Sequence, residues 1–310
     1  MERRMLDASG IEVSVLALGS WQTFERIPRE DGIAVMTAAR EAGIDFLDDA
    51  RYDDHTGAAP IPTGYSEVVF GELFRAAGWK RDEVTVANKL WWEHWPGQSA
   101  GKELDASLAR MRFDYVDLVY AERPPEGLSV RQVVEEVSGL ISAGKARAWG
   151  VLNWEPAEIA EADRVVSAES APAPCAAQLA YSLADPTMVE NDAMSAALDQ
   201  AGVSVVASYP LAGGALTGKY ASVAATGRLA ERRGDDRMRD AFRAGERLRQ
   251  IAEELGTTPA RLAIAFALAN ERVASVLFGA TRAEQVADNV RAVELLERLD
   301  EGDLARLRSP

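Results

Sequence analysis

What the chain lacks narrows its function before any motif is read. It has one cysteine, Cys175, so no disulfide framework forms and a reducing compartment suits it. Cys175 lies between Pro174 and an apolar run, the setting of a buried, inert thiol. Only His55 and His94 are present, which leaves no zinc-ligand spacing, no evident Ser/His/Asp set and no expected metal. Basic charge is short as well. Thirty-four Lys and Arg against 49 Asp and Glu give a net charge of −15, which argues against nucleic acid and anionic membrane surfaces as partners. Local cations can still hold a small anion such as a dinucleotide. No apolar run is long enough to span a bilayer, and MERRMLDASG has charge but no apolar signal core. These absences lead us to expect a soluble, cytoplasmic protein.

What is present is a core-forming composition, 47% hydrophobic and 27% charged over 310 residues. Residues 4–13 read as a short hairpin turning at Ala8-Ser9-Gly10. After it, apolar strands alternate with helical patterns. Strands are expected at Val15–Leu18, Asp45–Asp48, Val84–Asn88, Val116–Tyr120, Ala146–Val151, Ala176–Leu179, Val203–Ala207 and Ser275–Phe278. Helices are expected near Arg29–Ala42, Ser66–Ala77, Gln98–Arg110, Ser129–Ala143, Pro156–Ala168, Met188–Ala201, Pro259–Ala269 and Arg282–Ala292. Several end in Ala-Gly, as at Ala42-Gly43 and Ala201-Gly202, where a left-handed residue stops a helix. Eight strand–helix units describe one (β/α)₈ TIM barrel over 1–310 with a short N-terminal β-hairpin. A doubly wound sheet fits less well, because no Gly-x-Gly-x-x-Gly follows the first strand. Residues 220–240, polar and Arg-rich, are expected to form a long loop with mobile parts.

A barrel of this type places chemistry where strands run into the following loops. Those positions here are Gly19-Ser20-Trp21, Asp48 to Tyr52, Lys89, Glu122, Asn153, Gln178, Ser208-Tyr209 and Gly279 to Arg282. The pivotal stretch is GIDFLDDARY (43–52), where an apolar strand meets two carboxylates, a cation and a phenol. Proton chemistry needs an acid with a charged partner to tune it, and a strand tip holds both. A turn is the plainer account of the same residues. Lys89 either lowers a phenol's pKa or carries a Schiff base; its plain alternative is a lysine reaching solvent. Glu122 pairs with Lys89, stays protonated as a donor, or simply pairs with Arg123. Asn153 and Gln178 suit a ligand amide, or brace loops. Trp91-Trp92-Glu93-His94-Trp95 walls a substrate pocket or packs a loop. GGALTGK (213–219) nearly matches a phosphate loop, but Tyr220 stands where a magnesium ligand is needed, which excludes a nucleoside triphosphatase. Its glycines still admit a diphosphate to the backbone amides. Thr281-Arg282 opens a helix and suits a phosphate, or serves as an exposed cap.

Taken in order, LALGSW, GIDFLDDA, YSEVVFGELF, NKLWW, DYVDLVYAERP, AWGVLNW, PLAGGALTGKY and ASVLFGATRAEQVADN resemble the aldo-keto reductases, and within them the potassium-channel β-subunit branch and its bacterial relatives. The resemblance implies a (β/α)₈ barrel that binds extended NADPH and passes hydride to a carbonyl substrate. Of the family's Asp, Tyr, Lys and His, Asp48 and Lys89 take two positions and Glu122 takes that of the histidine. Glu stands there in the steroid double-bond reductases of the family as well. Tyr52 takes the tyrosine position, one residue closer to the aspartate than usual and followed by an insert (53–64), with Tyr65 as the alternative. Asn153 and Gln178 match carboxamide-binding positions, with Leu152 in place of the usual Ser. Ser208 stands where an aromatic stacks on the nicotinamide, beside Tyr209. The resemblance also sets Gly19, Ser20, Trp21, Pro210, Leu211, Gly213 and Lys219 around the cofactor. Gly279, Thr281, Arg282, Gln285, Asp288 and Asn289 match the segment around the adenosine 2′-phosphate, which favours NADPH over NADH. The expected chemistry is carbonyl reduction, with Tyr52 as proton donor, its pKa lowered by Lys89, whose charge Asp48 holds. Reduction of an activated C=C bond, a cofactor-binding regulatory or redox-sensing role, and a Lys89 Schiff-base lyase are the other readings.

Overall fold

The computed structural model describes residues 1–7, 9–221, 229, 235 and 238–308. Most of the loop expected over 220–240, and Ala8 of the hairpin turn, lie outside the described residues. The hairpin pairs β1 (Arg3–Leu6) with β2 (Ile11–Ser14) in antiparallel register. Eight parallel strands then close a barrel. They are β3 (Leu16–Gly19), β4 (Phe46–Asp48), β5 (Thr85–Leu90), β6 (Val116–Glu122), β7 (Ala146–Leu152), β8 (Ala176–Ala180), β9 (Ser204–Ser208) and β10 (Val273–Phe278), with β10 pairing β3 to complete the ring.

Alternation along each strand sorts the core into two parts. Outward residues such as Leu47, Val86, Val119, Val151 and Leu179 pack against the helices, while inward Ala17, Phe46, Ala87, Leu118, Tyr120, Ala148, Ala176 and Val206 fill the barrel. Leu6 and Val13 join the inward group, so the hairpin covers the end where the strands begin. The last inward residue of each strand faces the opposite end. Those residues are Gly19, Asp48, Lys89, Glu122, Leu152, Gln178 and Ser208, with Leu277 on β10. Polar side chains thus collect at one rim of an otherwise apolar cylinder.

The outer layer is α1 (Arg29–Glu41), α2 (Tyr65–Ala76), α3 (Ala100–Met111), α4 (Val130–Ser142), α5 (Pro156–Glu169), α6 (Thr187–Glu190), α7 (Asp192–Ala201), α8 (Arg239–Glu254), α9 (Pro259–Leu268), α10 (Ala283–Asn289), α11 (Arg291–Leu296) and α12 (Glu301–Arg308). The single helix expected near Met188–Ala201 is broken in two. Asn191 is extended (φ −75°, ψ 147°), and its side chain accepts from Met194 N at 2.8 Å, a cap that starts a new helix. The helix expected over Arg282–Ala292 likewise divides at Val290. The one expected at Gln98 starts at Ala100, where Ser99 accepts from Lys102 N. Strands β5 and β6 run two residues past their expected ends, so Lys89 and Glu122 belong to the rigid sheet. No helix among the described residues is long and apolar enough to cross a membrane.

Candidate active site

A cleft of about 720 Å³ opens at the polar rim, within the size range of cofactor sites. Asp48 is its electrostatic centre. One carboxylate oxygen accepts from Lys89 Nζ, and the other accepts from Gln178 Nε2 at 2.8 Å. Both Asp48 and Lys89 are almost wholly buried, so each charge depends on the other. Lys89 Nζ also lies 3.2 Å from the Tyr52 hydroxyl. Asp48, Lys89 and Tyr52 therefore form one connected cluster drawn from two adjacent strands and the loop after the first.

The short spacing between Asp48 and Tyr52 is made good by the insert. Gly64 N donates to the Tyr52 carbonyl at 2.8 Å, and Asp53 bridges Thr63, so the insert leaves and returns at a neck beside Tyr52. Arg51 bonds Thr63 Oγ1 at 2.9 Å and Glu93 at 2.6 Å, tying that neck to the tryptophan segment. Tyr65 is placed elsewhere, on α2 with its hydroxyl 3.0 Å from Arg29. It does not line the cleft.

The Tyr52 phenol corrects one expectation. Burial first, then the charges of Asp48, Asp49, Glu67 and Glu25, hold its pKa well above the ordinary value rather than below it. The phenol is thereby a proton donor throughout the neutral range. Glu122 does not line the cleft. Burial raises its pKa, against the lowering influences of the Arg123 backbone N–H, the Asn153 side chain and the charge of Lys89. The expected pair with Arg123 is absent among the described residues, because that guanidinium reaches Glu158 at 2.8 Å and Glu155 at 3.2 Å.

Tryptophans 91 and 92 diverge. Trp91 lines the cleft, its ring 5.9 Å from that of Tyr52, whereas Trp92 is buried and donates to the Glu122 carbonyl at 3.0 Å. Buried Glu103 accepts from the backbone N–H of both and fixes their loop. The remaining insert residues and Trp95 stay outside the lining.

Along the cleft's long arm stand Gly19, Trp21, Asn153, Ser208, Tyr209, Pro210, Leu211, Gly213, Lys219, Gly279, Thr281 and Gln285, all expected from sequence. Gln22, Asn153 and Tyr209 adopt φ of 51°, 57° and 59°, a region that non-glycine residues seldom occupy. Gly213 (φ 67°) is needed as glycine, since a Cβ there would stand 2.6 Å from the Tyr209 hydroxyl. Trp21 and Tyr209 are exposed, their rings 6.4 Å apart at 58°. Arg26, Lys219 and Lys89 give a net acidic chain three cations in one cleft.

Besides Glu122, four residues expected around the cofactor lie outside the lining. Ser20 is buried and donates to Asp49, because successive residues at the strand tip face opposite sides. Asp288 is engaged by Arg261 and by Thr258 Oγ1 at 2.9 Å. Asn289 is buried at the end of α10, and Arg282 caps its start outside the lining. Sequence reasoning passed over Gln22, Thr23, Arg26, Ile27 and Thr217, which also line the cleft. The first four lie just past a strand end, the position that marks a barrel's active face, so that signal was available.

The geometry fits a dinucleotide on its own terms. Side-chain amides sit beside an acid–base cluster at one end, and glycines with a lysine widen the other. The chain belongs to the aldo/keto reductase family, whose sequence model matches residues 15–309. That family broadly performs NADPH-dependent oxidoreduction. Among curated relatives, a rice (Oryza sativa subsp. japonica) protein named "Probable voltage-gated potassium channel subunit beta" is 32% identical, covering 96% of this chain and 93% of its own. An Arabidopsis thaliana protein of the same name is 30% identical with the same coverage.

Proposed function

We propose that the protein is a cytoplasmic NADPH-dependent reductase of a small aldehyde or ketone. The observation that carries this reading is the contact of Tyr52, Lys89 and Asp48 at the mouth of a cleft built for a long anion. NADPH, when bound, supplies the hydride that the carbonyl carbon receives. The chain's own groups handle the oxygen. Tyr52 gives its proton to the developing alkoxide, and Lys89, 3.2 Å away, stabilises the phenolate left behind. Asp48 keeps Lys89 charged and in place.

Asn153 and Gln178 would hold the carboxamide, Gly213 and Lys219 the diphosphate, and Thr281 and Gln285 the adenosine end, with Arg26 as the nearby cation for a 2′-phosphate. Trp21 and Tyr209 take over the aromatic wall that Ser208 does not provide. The high pKa of Tyr52 favours reduction over alcohol oxidation, because oxidation needs the phenolate. Reduction should stay level through the ordinary phenol range near pH 10 on Tyr52's account.

A fluorescence titration with NADPH, followed by single-turnover oxidation with a panel of small aldehydes, tests the proposal. Binding with oxidation is expected; absence of binding would contradict it. The names of the rice and Arabidopsis relatives favour a second reading, an NADP(H)-binding regulatory subunit with weak catalysis. Tight binding without turnover across the panel would select it. A Schiff-base lyase fares worse, because Lys89 is engaged by both Asp48 and Tyr52.

A further inference from the structure

Beside the cleft lies a second, smaller cavity of about 180 Å³, and among the described residues the two linings share none. The wall between them is built from two short segments. Tyr52 and Trp91 face the cleft, their rings 5.9 Å apart, while Arg51 and Glu93 face the smaller cavity. The segments are joined on the cleft side by that ring contact, and on the far side by the ion pair of Arg51 with Glu93 at 2.6 Å.

Stability alone does not account for the pair. The Arg51 side chain is 11% exposed, whereas Glu93, the carboxylate paired with it among the described residues, is 49% exposed. A half-exposed partner offsets little of the desolvation of a guanidinium, and an apolar side chain would fill the space without that penalty. The other charges of the lining are engaged elsewhere. Arg110 donates to buried Glu67 at 2.5 Å, and Glu103 accepts from the Trp91 N–H at 2.7 Å. What the pair supplies is registry between two loops. Arg51 also donates to Thr63 Oγ1 at 2.9 Å, and the next residue, Gly64, donates its N–H to the Tyr52 carbonyl at 2.8 Å. Glu93 stands two residues from Trp91.

We propose that Arg51 and Glu93 are positioning residues that set substrate size: their ion pair holds the Tyr52 and Trp91 segments together and keeps the slot beside the Tyr52 hydroxyl closed toward the smaller cavity. Neither side chain lines the cleft, so both act through Tyr52 and Trp91. With the pair intact the slot selects small carbonyls. Without it both segments have the smaller cavity to relax into, and the slot admits a bulkier carbonyl. This rests on the reductase reading above.

The test is the ratio of kcat/KM for naphthaldehyde to that for propanal, at saturating NADPH, in Glu93→Ala, Arg51→Met and the double variant. Each single change should raise the ratio about tenfold, and the double change no further, because the two side chains act as one unit. A wild-type ratio in either single variant, even with both aldehydes turned over more slowly, would overturn the proposal. So would a double variant whose shift is the product of the two. Should Arg51→Met not fold, Glu93→Ala, a change at a half-exposed side chain, decides alone. Amide hydrogen exchange gives a readout without cofactor or substrate: the Gly64 N–H should exchange about tenfold faster in Glu93→Ala. Exchange at the wild-type rate would overturn the proposal. Failure of the wild type to turn over either aldehyde would instead count against the reductase reading, with the exchange measurement still deciding what the ion pair holds.

Discussion

Asp48 and Asp49 are neighbours at the end of β4, equally buried, and they face opposite sides of the strand. Asp48 turns into the barrel, where an ammonium and an amide meet its two oxygens. Asp49 turns outward toward α2. There Ser20 donates to one oxygen, and the other has no partner among the described residues. The acid whose charge bears on Asp49 is Glu67, whose own oxygens are taken by Asn88 at 2.9 Å and Arg110 at 2.5 Å. Burial first, and then Glu67's charge, push the Asp49 pKa well above its ordinary value. Two identical side chains, one residue apart, thus meet opposite electrostatic surroundings. Burial alone does not decide whether a carboxyl is ionised; the partners present on each face do.

Substitution can break that contrast. Asp48→Asn should strand the Lys89 ammonium in the interior and cost about 3–5 kcal/mol in denaturant unfolding. At acid pH, where Asp49 is protonated folded and unfolded alike, Asp49→Asn, which mimics that form, should change stability by less than about 1 kcal/mol. Equal losses would erase the distinction. Gly150→Ala should cost about 1–3 kcal/mol, since the new methyl meets a carbonyl and the Tyr120 ring that the barrel cannot easily move.

A pH series sharpens the contrast further. The folded pKa of Asp49 lies above its unfolded value near 3.8, so the folded state binds the extra proton between those values. Asp49's contribution is therefore fully present below the ordinary carboxylate range and is lost as pH rises through the raised folded pKa. Unfolding midpoints of wild type and Asp49→Asn should diverge across that window, the variant falling less with rising pH. Parallel curves would show Asp49 to be ionised. The smallest effect is expected for Tyr65→Phe, which removes one bond to Arg29 and should leave turnover within about twofold.

Much of this arrangement was legible in the chain. Strand periodicity and Ala-Gly helix ends gave the barrel, and the barrel rule gave Asp48, Lys89 and Gln178 at the rim. Neither could show what a buried group would meet. The Tyr52 pKa depends on burial first and then on the charges of Asp48, Asp49, Glu67 and Glu25, and the sequence does not encode how closely the last two approach the phenol. The insert neck that seats Tyr52 rests on the bond from Gly64 and the Asp53–Thr63 bridge, contacts that spacing alone does not encode. Asp288 reads as an adenosine ligand by position, yet Arg261 on α9 claims it. Tyr120 looks like one more apolar strand residue until Gly150 is seen across from it.

The most direct test is single-turnover oxidation of NADPH by a small aldehyde on wild type and Tyr52→Phe, with cofactor affinity measured on both. The phenol's proton is worth about 10²–10⁴ in rate, so the variant should bind NADPH as wild type does and oxidise it slower by that factor. Oxidation by Tyr52→Phe at the wild-type rate would contradict the account, because the proton would then have to come from another group.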